Sequence, residues 1–174
     1  MASEEFIIRP ARPDDCGEIV RIIKALAEHQ GLGDRETVSE EALREDAFRD
    51  DPYFRALVAE VPGTVVAASG EAAKLVGYAM YYFCYSPFVR RVMYLEDFYV
   101  EPSYRGRGVG TTLMKKVAKI GVESNCNKMQ WVCLNSNDVA IKFYKKHGGK
   151  DVTVEEKWHL FRMDREDLIS FTKL

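Results

Sequence analysis

Two adjacent carboxylates, Glu96 and Asp97, precede a loop at 105–111 that holds three glycines and two arginines. An amphipathic stretch follows the loop. Glycines let a ligand approach the backbone closely, and the first N–H groups of a helix have no acceptor inside the helix. A phosphate or pyrophosphate suits such a place. The residue types therefore predict an anion site beside two carboxylates.

Three phosphate-binding patterns compete for this loop. The Rossmann fingerprint needs Gly-x-Gly-x-x-Gly, but Thr111 stands where the third glycine should fall. A Walker A loop ends in Gly-Lys-Ser/Thr, whereas this loop ends in Gly110, Thr111 and Thr112. The remaining pattern, Arg/Gln-x-x-Gly-x-Gly/Ala, is matched at 105–110. A plain glycine-rich turn stays open as the simpler interpretation of so short a motif.

Hydrophobic periodicity predicts the elements that position these residues. Predicted strands are 5–9, 55–61, 75–85, 92–100, 129–134 and 158–163. Helices are predicted from residue 15, over 37–48 after a capping-box motif, after the glycine loop, and from Asn137, with a short helical tail at the end. Residues 62–73 are predicted as a hairpin loop. The order β α α β β β α β α β indicates one α/β domain.

Length and composition restrict the class of protein. A chain of 174 residues, 47% hydrophobic and 30% charged, predicts a single soluble domain over 1–174. Its net charge of −2 gives no general attraction to nucleic acid. The four cysteines form no CxxC pair and no zinc-type spacing with histidine, so no metal is expected. Since no apolar stretch reaches membrane-spanning length, we expect a reducing, cytoplasmic location and no membrane partner.

The loop, the following helix and strand, Asn137, and Tyr144 seven residues later together resemble the GNAT superfamily of N-acetyltransferases, which bind acetyl-CoA. More narrowly, the chain resembles the spermidine/spermine N-acetyltransferase (diamine acetyltransferase) family. The segments that carry this resemblance are 8–11 (IRPA), 79–83 (AMYYF), 94–98 (YLEDF), 143–145 (FYK) and 156–158 (EKW), so it covers essentially the whole chain. It implies a single-domain GNAT fold, with a mixed, mostly antiparallel sheet flanked by helices, and a homodimer.

Acetyl transfer to an amine has three physical requirements. The amine must lose a proton, although a free alkylammonium has a pKa of about 10.4; the thioester carbonyl must be polarised; and the departing thiolate must be stabilised or protonated. The resemblance implies direct transfer in a ternary complex, with Glu96 as the base through an ordered water and Tyr144 as the acid. A mere cation anchor or exposed strand carboxylate stays open for Glu96, and a core aromatic for Tyr144.

The resemblance also implies binding positions. For acetyl-CoA they are a carbonyl-polarising strand, the pyrophosphate loop and the start of a later helix: Phe98, Tyr99, Val100, Arg105, Gly106, Arg107, Gly108, Val109, Gly110, Thr111, Asn137, Asp138, Val139, Ala140 and Tyr144. For the amine they are His29, Gln30, Ser86, Phe88, Glu96, Asp97, Gln130, Trp131, Val132, Glu156 and Trp158. Carboxylates and aromatic rings both suit an alkylammonium. Asp97 could equally be a structural acceptor, and the spacing of His147 and His159 shows no ligand partners.

Several positions depart from the polyamine-acetylating pattern. Ser86 stands where those members carry an acidic residue, and Phe88 where they carry Trp. His29-Gln30 replaces an aromatic-acid pair, and Ser136-Asn137 replaces a Trp-Asn pair. Losing two carboxylates weakens a pocket for a long polycation. Because a sister branch that acetylates thialysine also has Ser at the first position, the sequence predicts a shorter amine, with spermidine and spermine as weaker substrates.

Two other functions stay open at this level. One is a regulatory module that binds acetyl-CoA without turnover, which the retention of both Glu96 and Tyr144 disfavours. The other is a protein N-acetyltransferase acting on lysine side chains, which an acidic, aromatic-lined amine pocket disfavours.

Overall fold

Five strands form one sheet in the order β1-β2-β3-β4-β5 in the computed structural model, which describes residues 6–34, 37–61 and 74–173. They are β1 (Ile7–Pro10), β2 (Arg55–Val61), β3 (Lys74–Ser86), β4 (Arg90–Val100) and β5 (Lys128–Gln130). The first four are antiparallel, and β4 pairs with β5 in parallel. The mixed, mostly antiparallel α/β sheet predicted from the sequence is therefore confirmed. The hairpin loop predicted at 62–73 lies outside the described residues.

The chain divides into two compact units, Met1–Val132 and Cys133–Leu174. The first contains the sheet with helices α1 (Cys16–His29), α2 (Glu40–Phe48) and α3 (Val109–Glu123). Helix α2 ends where predicted but begins at Glu40 rather than at 37, because Ser39 and not Thr37 is its N-cap: the Ser39 hydroxyl accepts a 3.2 Å hydrogen bond from the Ala42 N–H. The second unit contains α4 (Asp138–Lys146), α5 (Thr153–Glu156) and α6 (Arg165–Phe171).

Apolar side chains of the first unit pack in separate clusters. One joins α1 and α2 to β2, β3 and β4, and includes Cys16, Ile19, Ile22, Leu43, Tyr78, Met80 and Tyr99. Another includes Ala59, Val76, Val100 and Val109, the last of these on α3. The amphipathic stretch predicted after the loop forms helix α3, whose Leu113, Met114 and Val117 are buried. Tyr78 of β3 therefore lies on the sheet face that α1 and α2 cover.

The prediction of a closing strand at 158–163 is wrong, because the structure has no strand there. The segment is rich in apolar residues, yet the second unit offers no strand among its described residues with which it could pair. A lone strand would leave its N–H and C=O groups without ladder partners. For β5 the prediction was too long, since the strand ends at Gln130 rather than at 134.

Candidate active site

Glu96 lies in a β-bulge of β4. Met80 of β3 is opposite Asp97, and the next residue, Tyr81, is opposite Leu95, so Glu96 has no partner on β3. In a regular strand neighbouring side chains point to opposite faces. Here Tyr78 and Tyr82, four residues apart and so on one face of β3, bond Asp97 and Glu96 respectively. The bulge therefore brings both carboxylates to the same face of the sheet.

Asp97 is the more buried of the two carboxylates. The hydroxyl of Tyr78, which is 0% exposed, donates a 2.6 Å hydrogen bond to Asp97 Oδ2. Burial raises the pKa of Asp97, and the Tyr78 hydrogen bond opposes that rise. Burial, together with the negative charge of Asp97, holds the pKa of Tyr78 well above its ordinary value, so this phenol keeps its proton and donates it.

Glu96 is exposed and accepts a hydrogen bond from Tyr82. Partial burial and then the charge of Asp97 raise its pKa above the ordinary 4.5, while Tyr82 lowers it. The Tyr82 ring stacks on Tyr94 with centroids 5.1 Å apart, and burial and the nearby Glu96 raise the pKa of Tyr82 to about 12. The pair is thus an accessible carboxylate with a raised pKa beside a more buried one, an arrangement suited to a base near a cation.

The end of β4 is anchored before the glycine loop begins. Glu101 is buried and forms ion pairs with Arg21 at 2.7 Å and Lys74 at 2.9 Å. Arg105 Nε donates to the Val100 carbonyl at 2.9 Å, and its guanidinium lies 5.3 Å from the centre of the Tyr99 ring. These contacts hold the loop entrance in place behind the carboxylate pair.

The loop has the backbone that an anion cradle requires. Gly106 (φ +75°) and Gly108 (φ +88°) both adopt the left-handed conformation, and a Cβ built on either glycine meets no atom within 4 Å. Gly108 is the N-cap of α3 without a side-chain cap, and the first turn carries no acidic residue. Space, N–H groups and the helix dipole together favour a phosphate here. Arg107 stacks over Tyr104 at 5.2 Å beside the loop, and the role of the loop in binding a pyrophosphate stays a prediction.

The other predicted amine-binding residues of the first unit are spread along the sheet. The His29 ring, at the end of α1, lies 6.2 Å from that of Tyr99, and Gln30 follows as the C-cap. Gln130 is opposite Tyr94, and Trp131 and Val132 follow β5. Ser86, whose hydroxyl accepts from the Phe88 N–H at 3.3 Å, is opposite Arg90, so Ser86 and Phe88 lie roughly 20 Å along the strand from Glu96. The structure does not bring these two residues to the carboxylate pair within one chain.

The remaining predicted residues lie in the second unit. Asn137 caps α4, its side-chain oxygen accepting a 3.1 Å hydrogen bond from the Ala140 N–H, while Asp138 and Val139 open the first turn. Tyr144 lies on α4 with its ring edge-on to Phe143, centroids 5.6 Å apart. Glu156 ends α5, and the Trp158 side chain is 76% exposed. Their roles toward acetyl-CoA and amine stay predictions.

Residues 19–149 match the sequence model of the Acetyltransferase (GNAT) family. The chain belongs to the GNAT family. The predicted family and the predicted enzyme class, an N-acetyltransferase, are both confirmed. Among curated relatives, the thialysine N-epsilon-acetyltransferase of Sus scrofa is 44% identical over 162 residues, covering 92% of this chain and 93% of the relative. The human spermidine/spermine N(1)-acetyltransferase-like protein 1 is 40% identical, and the match covers 94% of this chain but 23% of that protein.

Solved structures of other proteins share the GNAT fold. An integron cassette protein from the mobile metagenome of V. cholerae superposes with a TM-score of 0.73 at 25% identity, covering 97% of this chain and 98% of that one. AAC(6')-Iy, solved with a bisubstrate analogue, CoA-S-monomethyl-acetylneamine, superposes at 0.64 with 20% identity, covering 92% and 99%. These likenesses agree with the fold that the family match implies.

No group of three or more His, Cys, Asp or Glu side chains in the described part of this GNAT chain could hold a metal ion. Across 6–34, 37–61 and 74–173, the structure also shows no helix long and apolar enough to cross a membrane.

Gly108→Ala tests the GNAT loop. A left-handed alanine costs about 1–2 kcal/mol, so the loop relaxes away from the geometry of glycine, and we expect the Kd for CoA to rise about tenfold. Gly31→Ala is the matched control, because Gly31 also has a positive φ (+71°) and open space around its Cβ. Titration calorimetry with CoA measures both variants. Equal affinities in the two variants would contradict a role for this loop in CoA binding.

Proposed function

We propose that this protein transfers the acetyl group of acetyl-CoA to the primary amine of a small diamine-type substrate. Thialysine or another short amine is the favoured acceptor, and spermidine and spermine are weaker ones. The observation that carries the proposal is the Glu96–Asp97 pair, turned to one face by the bulge and located on the strand that leads into the anion loop. The carboxylate pair suits an alkylammonium, and the neighbouring glycine loop suits a pyrophosphate.

The charges at the pair support an amine rather than an anion as its ligand. In the described part of the chain, the pKa of Glu96 is shifted by burial, by the charge of Asp97 and by Tyr82, and that of Asp97 by burial and Tyr78. No Lys or Arg side chain of that part contributes to either shift. Two neighbouring carboxylates without a protein cation attract a cationic ligand. Glu96 then receives the proton of the bound ammonium through an ordered water, which leaves a neutral amine able to attack the thioester.

The remaining steps use β4 and Tyr144. Strand β5 reaches only as far as Tyr94, so the rest of that edge of β4 has no strand beside it in the described ranges. We place the thioester there, its carbonyl polarised by a backbone N–H of the stretch Phe98, Tyr99 and Val100. The pyrophosphate binds the loop from Arg105 to Thr111, Asn137–Ala140 contact the pantetheine, and Tyr144 protonates the leaving sulfur in direct transfer within a ternary complex.

We further propose that 1–174 acts as one GNAT domain in the cytoplasm, since the family match at 19–149 crosses the boundary between the two units. A homodimer is part of the proposal. The separation of roughly 20 Å between the Ser86–Phe88 turn and Glu96 supports it, because within one subunit these residues are too far apart to line one pocket.

A comparison of kcat/KM for thialysine, putrescine, spermidine and spermine with acetyl-CoA tests the substrate preference. We expect thialysine to exceed spermidine, because Ser86 supplies no charge for a distant ammonium. The curated relatives at 44% and 43% identity named thialysine N-epsilon-acetyltransferase support this order. Spermidine exceeding thialysine by about tenfold, or about 1.4 kcal/mol, would refute it. Release of no thiol with any amine would leave a non-catalytic acetyl-CoA-binding module instead.

A further inference from the structure

The buried tyrosine behind the carboxylate pair has no part in the proposed proton transfers. Tyr78 is 0% exposed, and its hydroxyl donates to Asp97 Oδ2 at 2.6 Å. Its ring belongs to the cluster under α1 and α2, which fixes the position of the hydroxyl. A short hydrogen bond from a phenol to a carboxylate is charge-assisted and directional. Tyr78 therefore sets which way the Asp97 carboxylate faces.

Asp97 has a neutral hydrogen-bond donor beside it and, in the described part of the chain, no cationic one among the causes that perturb its pKa. One oxygen, Oδ2, is occupied by Tyr78, and no Lys or Arg in the described ranges perturbs the group. A partly buried carboxylate without a protein cation beside it favours a cationic ligand. Glu96 differs, because it is exposed and can exchange a proton with water. The two neighbouring carboxylates thus have unlike surroundings and suit unlike tasks.

We propose that Tyr78 is a positioning residue for amine recognition: it orients Asp97 and keeps it ionised as the fixed anchor for the substrate ammonium, while Glu96 accepts the proton. The inference rests on the proposed function. It assigns Asp97 the role of an anchor for the amine rather than that of a structural acceptor. It also accounts for the bulge, since the two tasks require both side chains on one face. Tyr82, four residues further along β3, forms a hydrogen bond with Glu96 in the same manner.

Removing the Tyr78 hydroxyl should change amine binding if Tyr78 positions Asp97, but not if Tyr78 serves only for packing. Without that donor, burial alone acts on Asp97, and its pKa rises further. The carboxylate is then protonated over a wider range of low pH and loses the charge that holds the ammonium. Amine affinity falls as a result, and it falls more at lower pH. Acetyl-CoA binding, which depends on the loop at 105–111, is unaffected.

Comparison of Tyr78→Phe with the control Tyr81→Phe distinguishes a positioning role of Tyr78 from a packing role. Tyr81 is also buried, but its side chain points to the opposite face of β3, and neither carboxylate contributes to its pKa. With thialysine as the amine, Tyr78→Phe should raise KM about tenfold, increasingly so toward lower pH, with kcat and the KM for acetyl-CoA within about twofold of wild type. Tyr81→Phe should change none of these constants. Equal amine KM values in the two variants would overturn the inference.

Asp97→Asn keeps an acceptor for the Tyr78 hydroxyl, so it tests the same idea if Tyr78→Phe fails to fold. Because Asn has no charge at any pH, we expect it to raise the amine KM at least as much as Tyr78→Phe, also at neutral pH, and to make a second Tyr78→Phe change nearly silent. An unchanged amine KM in Asp97→Asn would also overturn the inference. If wild type acetylates none of the amines, the proposed function fails; if wild type is active and the variants match Tyr81→Phe, only the role of Tyr78 fails.

Discussion

Glu96→Gln is expected to lower kcat about a thousandfold, because general-base assistance contributes about 10²–10⁴ in rate and an amide cannot accept the proton. The substitution keeps the shape of the side chain and an oxygen that can accept from Tyr82. Affinity for acetyl-CoA should stay nearly intact, since the loop and the start of α3 are unchanged. Steady-state rates with thialysine and calorimetric titration with CoA measure the two effects.

The pH profile gives the sharper test of Glu96. A base is active when ionised, and burial together with Asp97 raises the pKa of Glu96 above 4.5. Wild-type kcat/KM should therefore decline, as pH falls, at a higher pH than an ordinary glutamate would give. In Glu96→Gln this acidic limb disappears, which leaves the deprotonation of the amine itself.

The control for Glu96 is Glu123→Gln, which removes an exposed carboxylate at the end of α3 whose 3.4 Å pair with Lys119 is worth little. It should preserve both kcat and the pH profile. If kcat/KM of Glu96→Gln matched wild type over the full pH range, Glu96 would be a cation anchor and not the base.

Local signals in the sequence were enough to predict the conformation of the glycine loop at 105–111. Gly106 and Gly108 require positive φ, and apolar spacing after them fixes the inner face of α3, so strand end, turn and helix were predicted in the right places. The carboxylates could be identified for a similar reason, because both lie on a strand immediately before this loop. These features depend on neighbouring residues, and the one-dimensional pattern contains them.

The bulge and its tyrosines could not be predicted in the same way. Alternation assigns Glu96 and Asp97 to opposite faces, and only the pairing of β4 with β3 shows the extra residue. Tyr78 and Tyr82 belong to an aromatic-rich strand in which no local signal distinguishes a carboxylate partner from a core residue. For residues 158–163 an apolar-rich segment was predicted as a strand that the structure lacks, since a strand also needs a neighbour.

Tyr144→Phe is expected to lower kcat by about a hundredfold, toward the low end of what an acid catalyst contributes. The effect should be smaller than that of Glu96→Gln, because a thiol has a pKa of about 8.5 and its thiolate is a tolerable leaving group without help. A phenol has a reference pKa of about 10 and so carries a proton for that sulfur at neutral pH. The ring remains in Tyr144→Phe, so its edge-on packing on Phe143 is retained.

Single-turnover release of thiol, with enzyme in excess over acetyl-CoA and thialysine saturating, measures this step directly. Tyr53→Phe is the control, because the Tyr53 side chain is 66% exposed and lies against Arg49 on the surface. Loss of rate in Tyr144→Phe with unchanged CoA affinity would place the defect in proton donation rather than in binding. A wild-type rate would mean that the thiolate departs unaided and takes its proton from solvent, which leaves Glu96 as the proposed group on which turnover depends.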